Sequence, residues 1–150
     1  MTVRVQSQDF QVGDEIARLR AGNPRVGAVV SFIGTVRDLN EGQGVSTLTL
    51  EHYPGMTERS LADICDQARA RWDLEDLLVI HRYGELRPLD QIVLVVTTSA
   101  HRGEAFLACE FIMDYLKTQA PFWKKETSAQ GERWVQARDT DDQAAQRWSV

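Results

Sequence analysis

The chain predicts an α+β fold, a mostly antiparallel sheet packed by two main helices. Segments rich in β-branched and aromatic residues recur at 26–36, 47–53, 77–83 and 92–98. Two stretches with helical apolar spacing, 57–72 and 103–120, each follow a pair of such strands. A doubly wound parallel sheet would need more regular alternation of strand and helix, and no glycine-rich phosphate loop is present.

In order along the chain, Val3 to Gln6 alternates as a short strand. Gly13 to Ala21 reads as a short helix closed by Gly22-Asn23-Pro24. Val26 to Val36 reads as a long strand, and Gly34 inside it marks a bulge or a close backbone approach. Asp38 to Gly44 reads as a polar, mobile loop, followed by a strand from Thr47 to Tyr53 that ends at Pro54-Gly55. Thr57 is a suitable N-cap for the helix to Trp72. Strands are expected at Leu77 to Tyr83 and Ile92 to Thr98, with Gly84 to Asp90 as a turn or small β excursion between them. Gly103 to Ala120 is the strongest helix. Phe122 to Thr127 and Arg133 to Ala137 form a closing hairpin around Gln130-Gly131, and the polar end from Asp139 is a short helix or partly disordered.

With 150 residues the chain suits a single domain, 1–150, large enough for a sizeable core. A formal charge of -5 gives no reason to expect nucleic acid or an anionic membrane as partner. No apolar run is long enough to span a bilayer, and MTVRVQSQDF lacks the apolar core of a signal peptide, so the expected location is cytoplasmic. Cys65 and Cys109 fall in helical patterns as small core residues, with a sulfur-relay thiol as the alternative.

The densest chemical signal is MDYLKTQAPFWKKE, residues 113–126. Lys117 lies four residues after Met113 and eleven after Phe106, which puts it on a helix face expected to pack inward. Lys124 follows Phe122 and Trp123 directly. Cations among large apolar groups point to an anion pocket or to amines held for chemistry; the same pattern also fits lysine stems lying on apolar surface with their heads in water. Ser99-Ala100-His101-Arg102 stands where a strand meets the start of the long helix, a place that favours phosphate. The alternative there is Ser99 as a cap with both cations solvated. Arg37 ends the long strand beside a glycine-bearing loop. His52 and His81 have no Cys, His or carboxylate at metal-ligand spacing and read as structural or capping residues. Several cations without a metal would suit a phosphorylated substrate that meets an anionic nucleophile.

FIGTVR (32–37), LEHYPGM (50–56), HRYGEL (81–86), TSAHR (98–102) and MDYLKTQAPFWKKE (113–126), in that order, resemble the large, catalytic subunit of molybdopterin synthase. The likeness runs from about Phe10 to Trp148, with no departure at the positions that matter; Lys125 is where Lys or Arg is expected. The resemblance implies an α/β hammerhead-type fold with a small additional β subdomain. It implies a sulfurtransferase that converts cyclic pyranopterin monophosphate to molybdopterin, without a metal or organic cofactor. The sulfur would come from a thiocarboxylate on the C-terminal Gly-Gly of a small ubiquitin-like carrier subunit, and a homodimer would form the centre of a heterotetramer. Residue by residue, it implies Lys117 and Lys124 as catalytic. It implies Thr35, Val36, Arg37, His101, Arg102, Lys117, Lys124, Lys125 and Glu126 as substrate-binding. Two other readings compete: a non-catalytic anion-binding module of the same fold, and an enzyme acting on another phosphorylated heterocycle.

Overall fold

A computed structural model of the chain describes residues 1–38, 45–128, 131–135 and 139–149. The elements are β1 (Thr2–Gln6), α1 (Val12–Arg20), β2 (Ala28–Thr35), β3 (Val45–His52), α2 (Met56–Arg71), β4 (Asp76–Arg82), β5 (Gly84–Leu86), β6 (Gln91–Ser99), α3 (Arg102–Gln119), β7 (Phe122–Ser128), β8 (Gly131–Val135) and α4 (Asp139–Gln146). The α+β class is borne out. The expected loop from Asp38 to Gly44 lies, apart from Asp38, outside the described residues.

The first sheet has the order β1-β4-β6-β2. Its β1–β4 pair is parallel and the other two pairs are antiparallel. β4 and β6 are the inner strands, and their near-continuous apolar runs follow from burial on both faces. Leu77, Val79, Val93 and Val95 face one way, onto Leu61, Ile64, Cys65 and Ala68 of α2 and Cys109, Ile112 and Leu116 of α3. Leu78, Ile80, Leu94 and Val96 face the other way, where Phe10 and the apolar side of α1 cover them. Strand alternation thus divides one sequence run between two cores.

The second sheet, β5-β3-β7-β8, is antiparallel throughout and corresponds to the expected β subdomain. β5 is the excursion expected between Gly84 and Asp90. It pairs with β3 before the chain returns to the first sheet as β6. Val36, Leu48, Leu50 and Leu86 form a small core beneath this sheet.

Three local expectations are refined. Gly34 is both bulge and close approach: the register slips between Gly34 and Thr35, and a Cβ on Gly34 would lie 2.8 Å from Val93 Cγ1. Thr57 is not the N-cap of α2. Gly55 holds that position with φ 84, its N–H donates to Glu58 Oε2 at 2.6 Å, and the buried Thr57 hydroxyl donates to the Tyr53 carbonyl at 2.8 Å. The polar C-terminal stretch does fold. Beyond α4, Trp148 stacks edge-on against Trp72 and Phe111, and its Nε1 donates to Asp114 Oδ2 at 2.6 Å.

Phe111 is fully buried, with Trp72, Tyr115 and Trp148 around its ring. Phe111→Ala is therefore expected to destabilise the protein by about 3–5 kcal/mol in urea unfolding followed by tryptophan fluorescence.

Candidate active site

α3 ends because Pro121 excludes its predecessor from helical geometry, and Ala120 is extended at ψ 134. The chain turns at once into β7, with Phe122 N–H donating to the Ala120 carbonyl at 2.8 Å. Lys117 in the last helical turn and Lys124 early in the strand are thereby brought to one cavity of about 610 Å³. That volume suits a small organic ligand.

The cavity lies between the two sheets. Thr35, Val36 and Arg37 line it from the end of β2, Leu116 and Lys117 from α3, and Ala120 from just beyond α3. Phe122, Trp123 and Lys124 come from β7, Leu48 and Leu50 from β3, and Asp141 from α4. Leu50 is the register partner of Lys124, so that cation enters beside an apolar wall. Val36 contributes only its side chain. Its N–H donates to the Asp90 carbonyl and its carbonyl accepts from Leu89 N–H, both at 2.8 Å.

Lys117 lines the cavity but not for the reason its spacing gave. It is exposed, and Phe106, on the same helix face, is 61 % exposed. The inward face of α3 is instead Ala105, Ala108, Cys109, Ile112 and Leu116. Lys117 reaches the cavity because the helix ends beside it.

The other expected site residues stand apart. Lys125 points to the opposite face of β7, 3.4 Å from Glu132 and 5.3 Å from the centre of the Trp134 ring. Glu126 is buried next to the cavity's β3 wall and is bound by Arg133 Nε at 2.9 Å. His101 and Arg102 begin α3 and are exposed. From Arg102 to Lys117 the helix rises roughly 22 Å, at about 1.5 Å per residue. Ser99 does not cap α3. Its hydroxyl is 2.8 Å from the Asp73 carbonyl and 3.1 Å from Glu104 Oε2, and the N-cap is His101, without a side-chain cap bond. Cys65 and Cys109 are buried, and burial pushes both thiols up to about 12, which removes them as sulfur relays near neutral pH.

His81 is the site residue that sequence reasoning missed. It lines the cavity at 5 % exposure and stacks on Phe122, ring centroids 3.7 Å apart. Burial pushes its pKa down, to about 3; Lys117, Lys124 and His52 push the same way, against the hydrogen bond to the Arg82 carbonyl. The only sequence signal was a lone histidine ending the apolar run of β4. Among the described residues no group of His, Cys, Asp and Glu could hold a metal, and no helix is long and apolar enough to cross a membrane.

The sequence pattern described as MoaE protein matches residues 5–119. The chain belongs to the MoaE family. It is similar to the molybdopterin synthase catalytic subunit of Ralstonia nicotianae, 68 % identical over 149 residues, covering 99 % of this chain and 85 % of the relative. Among solved structures it is similar to the molybdopterin biosynthesis MoaE protein of Burkholderia ambifaria. The TM-score is 0.85 at 57 % identity, over 99 % of this chain and 98 % of the other. It shares its fold with a chain from a complex of subunits 1 and 2 of molybdopterin-converting factor from Helicobacter pylori. There the TM-score is 0.75 at 18 % identity, over 91 % of each chain. MoaE membership agrees with the fold class and gives the lysine cavity a chemical context.

The acid side of His81 is measurable. Its folded pKa lies near 3, below the ordinary 6.5, so the unfolded chain takes up the proton first. Stability is therefore expected to fall as pH drops from about 6.5 towards about 3. This group contributes a slope of up to about 1.4 kcal/mol per pH unit. In His81→Phe that contribution disappears, which urea midpoints of the two proteins through the window will show.

Proposed function

We infer that this chain is the catalytic subunit of a molybdopterin synthase, inserting sulfur into cyclic pyranopterin monophosphate to form the dithiolene of molybdopterin. The sulfur donor is a thiocarboxylate at the Gly-Gly end of a small carrier subunit. The observation that carries this reading is the convergence of Lys117, Lys124 and Arg37 on one apolar-walled cavity in a MoaE chain.

The chemistry follows from charge. A thiocarboxylate and a cyclic phosphate are both anions, and at about 4 Å in a partly exposed site they repel by about 4 kcal/mol. Lys117 and Lys124 offset that repulsion and stabilise charge that develops as the sulfur attacks. The phosphate is held by Arg37 together with His101 and Arg102. The latter two are too far along α3 to reach the cavity of their own chain, so they complete the cavity of a second copy. Exposed Phe32 and Ile33 on edge strand β2, and exposed Phe106 and Leu107 on α3, supply apolar surface for such a homodimer. In this reading Lys125 and Glu126 act from the margin. Glu126 fixes Arg133, and Lys125 braces the outer face of β7.

Incubation with thiocarboxylated carrier and pyranopterin, with detection of the dithiolene product, tests the function directly. Lys117→Ala is expected to lower turnover by on the order of 10² to 10⁴ while leaving unfolding unchanged. Retention of more than about half the activity would remove Lys117 from the mechanism.

Arg102→Ala is expected to weaken pyranopterin binding by about 1.5–3 kcal/mol in calorimetry. Mixing Lys117→Ala and Arg102→Ala chains should restore turnover, because a mixed dimer holds one intact cavity. No recovery from a mixture shown to exchange subunits would place both residues in one chain's site.

A further inference from the structure

Arg87-Pro88-Leu89-Asp90 joins β5 to β6 in a single turn. Asp90 N–H donates to the Arg87 carbonyl at 3.0 Å and closes it. Pro88 fixes φ at the second position, and Leu89 at the third has φ 80. These are the marks of a type II turn, whose third position favours glycine or asparagine. Leu89 is 90 % exposed, so packing does not hold it in that left-handed conformation. Hydrogen bonds do. The Asp90 carboxylate reaches back to accept from Arg87 N–H at 2.9 Å. Leu89 N–H donates to the Val36 carbonyl, and the Asp90 carbonyl accepts from Val36 N–H, both at 2.8 Å.

Both ends of the turn are anchored. Leu86, before it, is buried in the small core with Val36, Leu48 and Leu50. Gln91, after it, donates from Nε2 to Asp9 Oδ1 and to the Phe10 carbonyl, and its own carbonyl accepts from Arg82, each at 2.9 Å. The turn grips β2 where β2 leaves its ladder. The register with β6 slips after Gly34 and ends at Thr35, opposite Gln91. Val36 is then held by its buried side chain and by the two bonds to the turn. Arg37 comes next, exposed, at the cavity. Its Cα is about 3.8 Å from that of Val36, so any freedom at Val36 passes straight to the guanidinium.

We propose that Asp90 is a positioning residue for Arg37: its carboxylate locks the 87–90 turn, and the turn's grip on Val36 sets where Arg37 enters the cavity. Without the carboxylate, Leu89 relaxes from its strained φ into the extended region open to an exposed leucine. That relaxation turns the Leu89 N–H and the Asp90 carbonyl away from Val36 and releases the end of β2.

The kinetic part of the test rests on the sulfur-transfer reading; the spectroscopic part does not. In nitrogen-15 relaxation the Arg37 amide is expected to have an order parameter of about 0.85 in the wild type and below about 0.6 in Asp90→Ala. Hydrogen exchange at the Val36 amide should quicken in the same variant. Asp90→Asn keeps a carbonyl acceptor for Arg87 N–H and should restore both. Unchanged order at Arg37 in Asp90→Ala overturns the proposal. In turnover, Asp90→Ala is expected to raise KM for pyranopterin about tenfold with kcat within about twofold, the pattern of lost uniform binding. In an Arg37→Ala background the same substitution should add little, because the two residues act as one unit. An unchanged KM, a loss in kcat alone, or full additivity with Arg37→Ala overturns the proposal. A wild-type protein inactive in the assay would refute the sulfur-transfer reading and leave the NMR result to decide on Asp90.

Discussion

The site depends on one backbone break. Pro121 stops α3 after Gln119 and sends the chain into β7, so residues seven apart in sequence line one cavity across a turn. A continued helix would carry position 124 two turns further along the axis, roughly 10 Å from Lys117. β7 is central in the second sheet, between β3 and β8, so the turn joins the end of α3 directly to that sheet's interior. The cavity is the space left between the two sheets.

Charge in the chain is distributed unevenly. The whole molecule is acidic, at -5, yet among the described residues three cations line one cavity, and the one histidine beside them is held neutral by burial. Elsewhere several arginines are paired with nearby carboxylates. Glu15, buried on α1, takes both Arg4 and Arg18, and Asp114 takes Arg147. An acidic surface with a cationic pocket disfavours extended polyanions and still admits a small anion.

Most of the architecture was legible because each element carries its own period or punctuation. The runs at 77–83 and 92–98 read as strands from their β-branched and apolar content, and Gly34 announced a bulge or close approach through the missing side chain. What could not be read was set by partners distant in sequence. Phe106 looked like a core residue, yet the α3 stripe that faces the sheet begins at Ala105, and nothing local tells which of two apolar stripes the sheet will cover. His81 looked structural because Phe122, Lys117 and His52, which give it meaning, lie on three other elements. The site lysines were legible as a pair, but not the roughly 22 Å separating Lys117 from the His101-Arg102 end of the same helix.

The parallel pairing of β1 with β4 has a consequence for synthesis. Thr2 is the register partner of Leu78, so β1 has no neighbour in its sheet until most of β4 has been synthesised. At about 5–20 residues per second that interval is roughly 4–16 s. During it, Val3 and Val5 form an unpaired edge with a ready affinity for any other strand. Arg4 interrupts that edge, and its partner Glu15 lies only eleven residues on, within α1. The N-terminal segment can therefore wait as a small charged unit of its own, and β1 is added to the sheet late, after the strand that it flanks.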